Sequence, residues 1–163
     1  MAKKEKYRVL FVCSGNICRS PAAEGIALHH FELYGLDERF EVDSAGLMGD
    51  NFAGQPPDRR MLKAAAARGY NFAKLRARAL VPADYGRFDL ILAMDKGVLA
   101  EMREECPEQH LPRLRLFLDF APDTKMREVP DPYYGAFNAF EQALDLCEAG
   151  VFGLMRALTA QAQ

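Results

Sequence analysis

The stretch Tyr7-Arg8-Val9-Leu10-Phe11-Val12-Cys13-Ser14-Gly15-Asn16-Ile17-Cys18-Arg19-Ser20-Pro21 decides the fold. Its first half, Tyr7 to Val12, is an apolar, β-branched run that reads as a buried strand. A turn holding Gly15 and Asn16 follows. Ser20-Pro21 is then a strong helix start, with Ser as N-cap and Pro at the first helical position. Beyond it Ala23, Ile26, Ala27, Phe31 and Tyr34 recur at helical spacing, and Gly35 stands where a C-terminal glycine belongs. Working outward, the alternation repeats. Phe40 to Ser44 is a second short strand, and Ala45 to Pro57, rich in Gly, Pro and Asn, reads as loop. Asp58 caps a helix running through Arg68 and closed by Gly69. Phe88 to Met94 is a near-continuous apolar run of the kind seen in parallel strands covered on both faces. Asp95 caps a helix to about Glu105, and Leu114 to Leu118 is a fourth strand. A loop with Pro122, Pro130 and Pro132 leads to a last helix, in which Phe137, Phe140, Leu144 and Cys147 share one face. This order predicts an α/β fold with one small, parallel, twisted sheet of about four strands and helices on both faces. One domain is expected over 1–163, with 1–6 and about 158–163 as loose termini.

Composition removes several function classes. Half of the 163 residues are hydrophobic, eleven of them Phe, which excludes disorder as the main state. A net charge of −2 lacks the basic excess of a nucleic-acid binder. The run Val9 to Val12 is too short for a signal peptide or a membrane span, so no membrane insertion is expected. Cys13, Cys18, Cys106 and Cys147 are too few for a disulfide framework and fit a reducing, cytoplasmic location. Cys106 and Cys147 read as structural. Metal binding is not expected, because Cys13 and Cys18 have no second ligand pair and His29, His30 and His110 do not cluster with them.

Ligands of open α/β sheets bind beyond the carboxyl ends of the strands, where Cys13 to Ser20 lies. Such a loop can turn successive backbone N–H groups towards one point, and the following helix adds its partial positive charge. A tetrahedral oxyanion, phosphate or sulfate-like, is the natural occupant. At the base of that cradle the helix terminus and Arg19 favour thiolate at Cys13, making it a nucleophile. The Arg19 guanidinium can hold two phosphate oxygens in a planar fork. A nucleotide P-loop is excluded, since no Gly-Lys-Ser/Thr ends the turn.

Val12 to Glu24 (VCSGNICRSPAAE) closely resembles the signature of the low-molecular-weight protein tyrosine phosphatases. The resemblance continues in Asp43-Ser44-Ala45-Gly46, in Pro56-Pro57-Asp58 with Arg60, in Phe88-Asp89 through Met94-Asp95, and in Asp131-Pro132-Tyr133-Tyr134-Gly135. It implies metal-independent, cofactor-free hydrolysis of protein phosphotyrosine through a cysteinyl-phosphate. Cys13 is then the nucleophile, Arg19 the phosphate clamp and Asp131 the general acid and base. Ser14, Gly15, Asn16, Ile17, Cys18 and Ser20 complete the phosphate-binding loop, with Ser20 hydrogen-bonding the sulfur. Asn16 is implied to hold the loop's strained backbone, supported by Ser44. Tyr133 and Tyr134 are implied as an aromatic substrate wall. Cys18 resembles the neighbouring cysteine that can pair reversibly with Cys13 under oxidation; its plain reading is a small packed residue. Asp95 is most simply a helix cap. The implied partner is a phosphotyrosine-bearing protein, a tyrosine kinase among the candidates.

The chain also departs from the family. Leu47 replaces the usual Thr, and the cleft aromatic, Phe52, is shifted along the loop; Phe52 is the candidate for the remaining wall. Lys74 or Leu75 stands where a supporting His is usual, and Ser14 replaces a larger apolar residue. Three other readings remain: a protein-arginine phosphatase, disfavoured by Ile17 and the two tyrosines; an arsenate reductase, which needs resolving cysteines that Cys106 and Cys147 supply poorly; and a phosphotyrosine-binding module of weak turnover, which would need neither Cys13 nor Asp131.

Overall fold

In the computed structural model, which describes residues 5–161, β1 (Tyr7–Cys13) lies at the centre of the molecule. Its side chains alternate across the sheet: Val9 and Phe11 enter one apolar cluster, Leu10 and Val12 another, and all four are fully buried. β2 (Phe40–Gly46) and β3 (Leu90–Ala93) flank it, and β4 (Leu114–Leu116) pairs with β3. All pairs are parallel and the order is β2-β1-β3-β4, as the strand-helix alternation predicts.

Helices α1 (Arg19–Leu33), α2 (Arg59–Ala66) and α5 (Phe137–Gln161) cover the Val9 and Phe11 face. Helices α3 (Asp84–Arg87) and α4 (Lys96–Glu105) cover the other. α5 lies so close to the turn after β4 that a Cβ at Gly153 would collide with the Phe120 carbonyl. Among the described residues no helix is long and apolar enough to cross a membrane.

Several boundaries differ from the sequence expectation. α1 starts at Arg19 with Cys18 in the cap position, so Ser20 is not the N-cap and Pro21 is the third helical residue. The Ser20 hydroxyl is engaged elsewhere, as described below. β2 runs past Ser44 to Gly46, so Ala45 is strand rather than loop. β3 is shorter than Phe88 to Met94, and β4 ends at Leu116 in a 3₁₀ turn, Phe117–Phe120. α2 ends at Ala66, and the chain turns through Gly69 at φ 87°. Tyr34 and Phe137 face solvent instead of the core. The expected loose end at 158–163 is corrected: α5 continues to Gln161, and Leu158 is buried against the core. Of the expected loose N-terminus, residues 1–4 lie outside the described residues, as do 162 and 163.

Candidate active site

In a doubly wound sheet the crevice opens where the strand order reverses. Here that point lies between β1, whose connection runs towards β2, and β3, whose connection runs towards β4. Cys13 ends β1 at this crevice, and the loop Ser14 to Cys18 crosses its mouth before α1. The parallel ladder extends into the loop, with Leu47 N–H donating to Cys13 O at 3.0 Å and Met48 N–H to Ser14 O at 2.7 Å. Gly46 is required at the end of β2. A Cβ there would lie 2.8 Å from both the Asn16 nitrogen and the Ser14 carbonyl oxygen. On the other side, Asp58 N–H donates to Ile17 O at 2.8 Å. Among the described residues, the amides of Ser14, Gly15, Ile17 and Cys18 have no protein acceptor. These donors, together with the N-terminus of α1, form a place for an anion.

Cys13 is 3% exposed, with its sulfur at the floor of this loop. It accepts from Asn16 N–H at 3.2 Å and lies 2.9 Å from Ser20 Oγ. Asn16 adopts φ 60°, a left-handed conformation that its side chain holds in place. Its Nδ2 donates to Ser20 Oγ and Ser44 Oγ, both at 2.8 Å, and its Oδ1 accepts from Arg78 N–H at 2.9 Å. Ser44 Oγ in turn donates to Glu24 Oε1 at 2.5 Å. Arg78 also bridges Asp43 of β2 and the fully buried Asp84 of α3. Leu75, near the position of the family's supporting His, packs against the core instead.

Arg19 is buried yet charged. Its Nη1 donates to Asp95 Oδ2 at 2.6 Å and to Val129 O at 2.9 Å, while Nη2 stands 3.7 Å from Asp131 Oδ2. Burial by itself would lower its pKa, but Cys13, Asp95 and Asp131 outweigh that and raise it. Asp95 caps α4 as expected, its Oδ1 accepting from Val98 N–H, and uses its second oxygen for Arg19. Asp131 Oδ1 accepts from Tyr133 N–H at 3.1 Å. The segment carrying it is tied to the residue that follows β3 by Val129 N–H donating to Met94 O.

A cleft of about 320 Å³ stands over the loop. Cys13, Ser14, Gly15, Ile17, Cys18 and Arg19 form its floor, and Asp131 its edge. Tyr133 and Tyr134 form one wall, with ring centroids 4.8 Å apart, and the Arg60 guanidinium lies over Tyr133. Phe52, whose ring would stand 3.1 Å from a Cβ on Gly15, forms the opposite wall with Met48. Thus the cleft gathers every predicted catalytic and wall residue, whereas Asn16, Ser20 and Ser44 lie buried behind the floor.

Met48, Arg78 and Glu24 are the residues sequence reasoning missed, as was the Asp95 contact with Arg19. Two of these left a signal: Glu24 closes the quoted motif, and Asp95 stands at the carboxyl end of a strand. Burial pushes the Cys18 thiol up strongly, reinforced by Asp58, Cys13 and Asp131. Cys147, beneath Arg19 O, is pushed up by burial to about 12. Among the described residues no three His, Cys, Asp or Glu side chains are grouped to hold a metal.

The family model described as low molecular weight phosphotyrosine protein phosphatase matches residues 8–163. A low molecular weight protein-tyrosine-phosphatase of Streptomyces coelicolor is 38% identical over 160 residues, covering 96% of each chain. A crystal structure of a protein tyrosine phosphatase from Entamoeba histolytica, with Hepes in its active site, superposes with a TM-score of 0.90 at 38% identity. That match covers 96% of this chain and 99% of the other. YfkJ from Bacillus subtilis matches with a TM-score of 0.91 at 32% identity, over 99% and 100%. With a family match running through nearly its whole length, this chain belongs to the low molecular weight phosphotyrosine protein phosphatases.

Proposed function

We propose that the protein hydrolyses phosphotyrosine in proteins in two steps at Cys13. The phosphate sits in the loop, held by the unpartnered amides, the N-terminus of α1, and the Nη2 and Nε of Arg19, which face away from the hydrogen bonds made by Nη1. The Cys13 sulfur attacks phosphorus, the bond to the phenolic oxygen breaks, and Asp131 gives its proton to the leaving oxygen. Asp131, now a carboxylate, takes a proton from water as it attacks the cysteinyl-phosphate. The sulfur leaves as thiolate, met by Ser20 O–H and Asn16 N–H, and inorganic phosphate departs. The observation that carries this reading is the sulfur itself, buried between two hydrogen-bonding groups under a cleft that also holds Arg19 and Asp131.

The aromatic walls support an aryl phosphate as substrate. Tyr133, Tyr134 and Phe52 offer faces for a phenyl ring, and Ile17 adds an apolar contact at the floor. Cys18, in the same floor, is the group we propose to pair with Cys13 under oxidation.

The test is turnover of p-nitrophenyl phosphate and of phosphotyrosine peptides with EDTA present. Cys13→Ser should lose at least about 1,000-fold in kcat. Substantial turnover by that variant would sink the mechanism. Asp131→Asn should slow esters of poor leaving groups more than those of good ones; equal slowing would remove Asp131 as the acid. A preference for phosphoarginine peptides would overturn the substrate class while leaving the chemistry at Cys13.

A further inference from the structure

We propose that Glu24 is a positioning residue for this reaction: by holding the Ser44 hydroxyl proton, its carboxylate sets, through Asn16, how Ser20 meets the Cys13 sulfur. The proposal rests on Cys13 being the nucleophile.

The direction of each hydrogen bond follows from donor counting. Asn16 Oδ1 accepts from Arg78 N–H, so both hydrogens of Nδ2 point at the two serines. Ser44 Oγ therefore accepts from Asn16, and its own hydrogen goes to Glu24 Oε1 at 2.5 Å. Ser20 Oγ likewise accepts from Asn16. Its hydrogen is left for the Cys13 sulfur at 2.9 Å, the alternative acceptor, Ala45 O, being at 3.5 Å. The chain thus runs from a carboxylate near the start of α1, across β2, to the reacting atom. It needs Glu24 as an acceptor at its far end.

A proton on Glu24 disturbs this order. The charge-assisted bond becomes a neutral one, or the carboxylic O–H turns the Ser44 hydrogen towards the donors of Asn16. Asn16 is then less firmly held, and Ser20 is less firmly aimed at the departing sulfur.

Glu24 is poised to make that change near neutrality. Burial pushes its carboxyl up to about 7; the Ser44 bond opposes the shift, Asp43 adds to it and Arg78 opposes it. From β2 the groups facing Glu24 are Ser44 and Asp43. From the segment after α2 it is Arg78, already shared between Asp43 and Asp84. No cation is devoted to Glu24 among the described residues.

The test is the pH dependence of kcat and KM for p-nitrophenyl phosphate in wild type, Glu24→Gln and Ser44→Ala. Cys13 alkylation by iodoacetamide, read by mass spectrometry of the Cys13 peptide, is followed over the same range. Wild-type kcat should rise about tenfold through an ionisation near neutral pH, with KM nearly constant. Both variants should lack that rise, and Cys13 alkylation should lose its matching inflection. Should Glu24→Gln fail to fold, Ser44→Ala cuts the same link with Glu24 intact. Profiles of the same shape in all three proteins overturn the proposal. Alkylation that keeps its Glu24-dependent inflection in a protein unable to hydrolyse phosphate esters would overturn the hydrolytic reading and leave the positioning role standing.

Discussion

At the scale of single residues, Glu24 stores free energy as well as orienting a serine. Burial raises its carboxyl from an ordinary 4.5 to about 7, so the folded chain binds that proton more tightly than the unfolded one. The stability it contributes is fully present below about pH 4.5 and is lost as pH rises through about 7. At one pKa unit per 1.36 kcal/mol the loss is at most about 3 kcal/mol. Glu24→Gln, which carries no charge to desolvate, should gain stability over wild type as pH rises from about 5 to about 8. Urea unfolding at several pH values measures this, and a constant difference between the two proteins would refute it. The sequence placed Cys13, Arg19 and Asp131 together as candidates because a strand, a turn and a helix start surround the first two. It gave no role to Glu24, although that residue closes the quoted motif, nor to Arg78. Their significance comes from Ser44 and Asn16, which reach them from other elements.

At the scale of elements, the end of β2 and the loop after β1 act as one unit. Gly46 backs directly onto the loop's main chain, so a methyl group there meets backbone atoms that cannot rotate away. Gly46→Ala should therefore cost about 1–3 kcal/mol in stability. It should also lower kcat/KM by at least about tenfold, because displacing Asn16 moves the hydrogen bonds on the Cys13 sulfur. Steady-state kinetics beside a urea titration checks this; full activity in the variant would show that the loop tolerates displacement. The start of α1 illustrates why a capping pattern misled. Ser-Pro is a good helix opening in isolation. Here Ser20 is taken by Asn16 and the sulfur, so the helix begins two residues earlier and no side chain caps its first amides. Those uncapped amides are what an anion can use. A functional demand outweighed a local preference.

At the scale of the whole molecule, the sheet divides the cysteines. Cys13, Cys18 and Cys147 belong to the cluster on one face, and Cys106 to the cluster on the other. A relay of oxidation from Cys13 to Cys106, which an arsenate reductase would require, has a complete β-sheet in its way. Cys106→Ser should leave kcat/KM within about twofold, and peptide mapping after peroxide treatment should find no Cys13–Cys106 bond. Finding that bond would reopen the reductase reading. By itself, the sequence determined the parallel α/β sheet, the position of the loop and the family, because hydrophobic periodicity, turn residues and a contiguous motif are local signals. Tertiary structure alone decided the pairing of Arg19 with Asp95, the path from Glu24 to Cys13, and the place of Met48 in the cleft over Cys13. Those contacts join segments far apart in the chain, and the strand order β2-β1-β3-β4 is what brings them together.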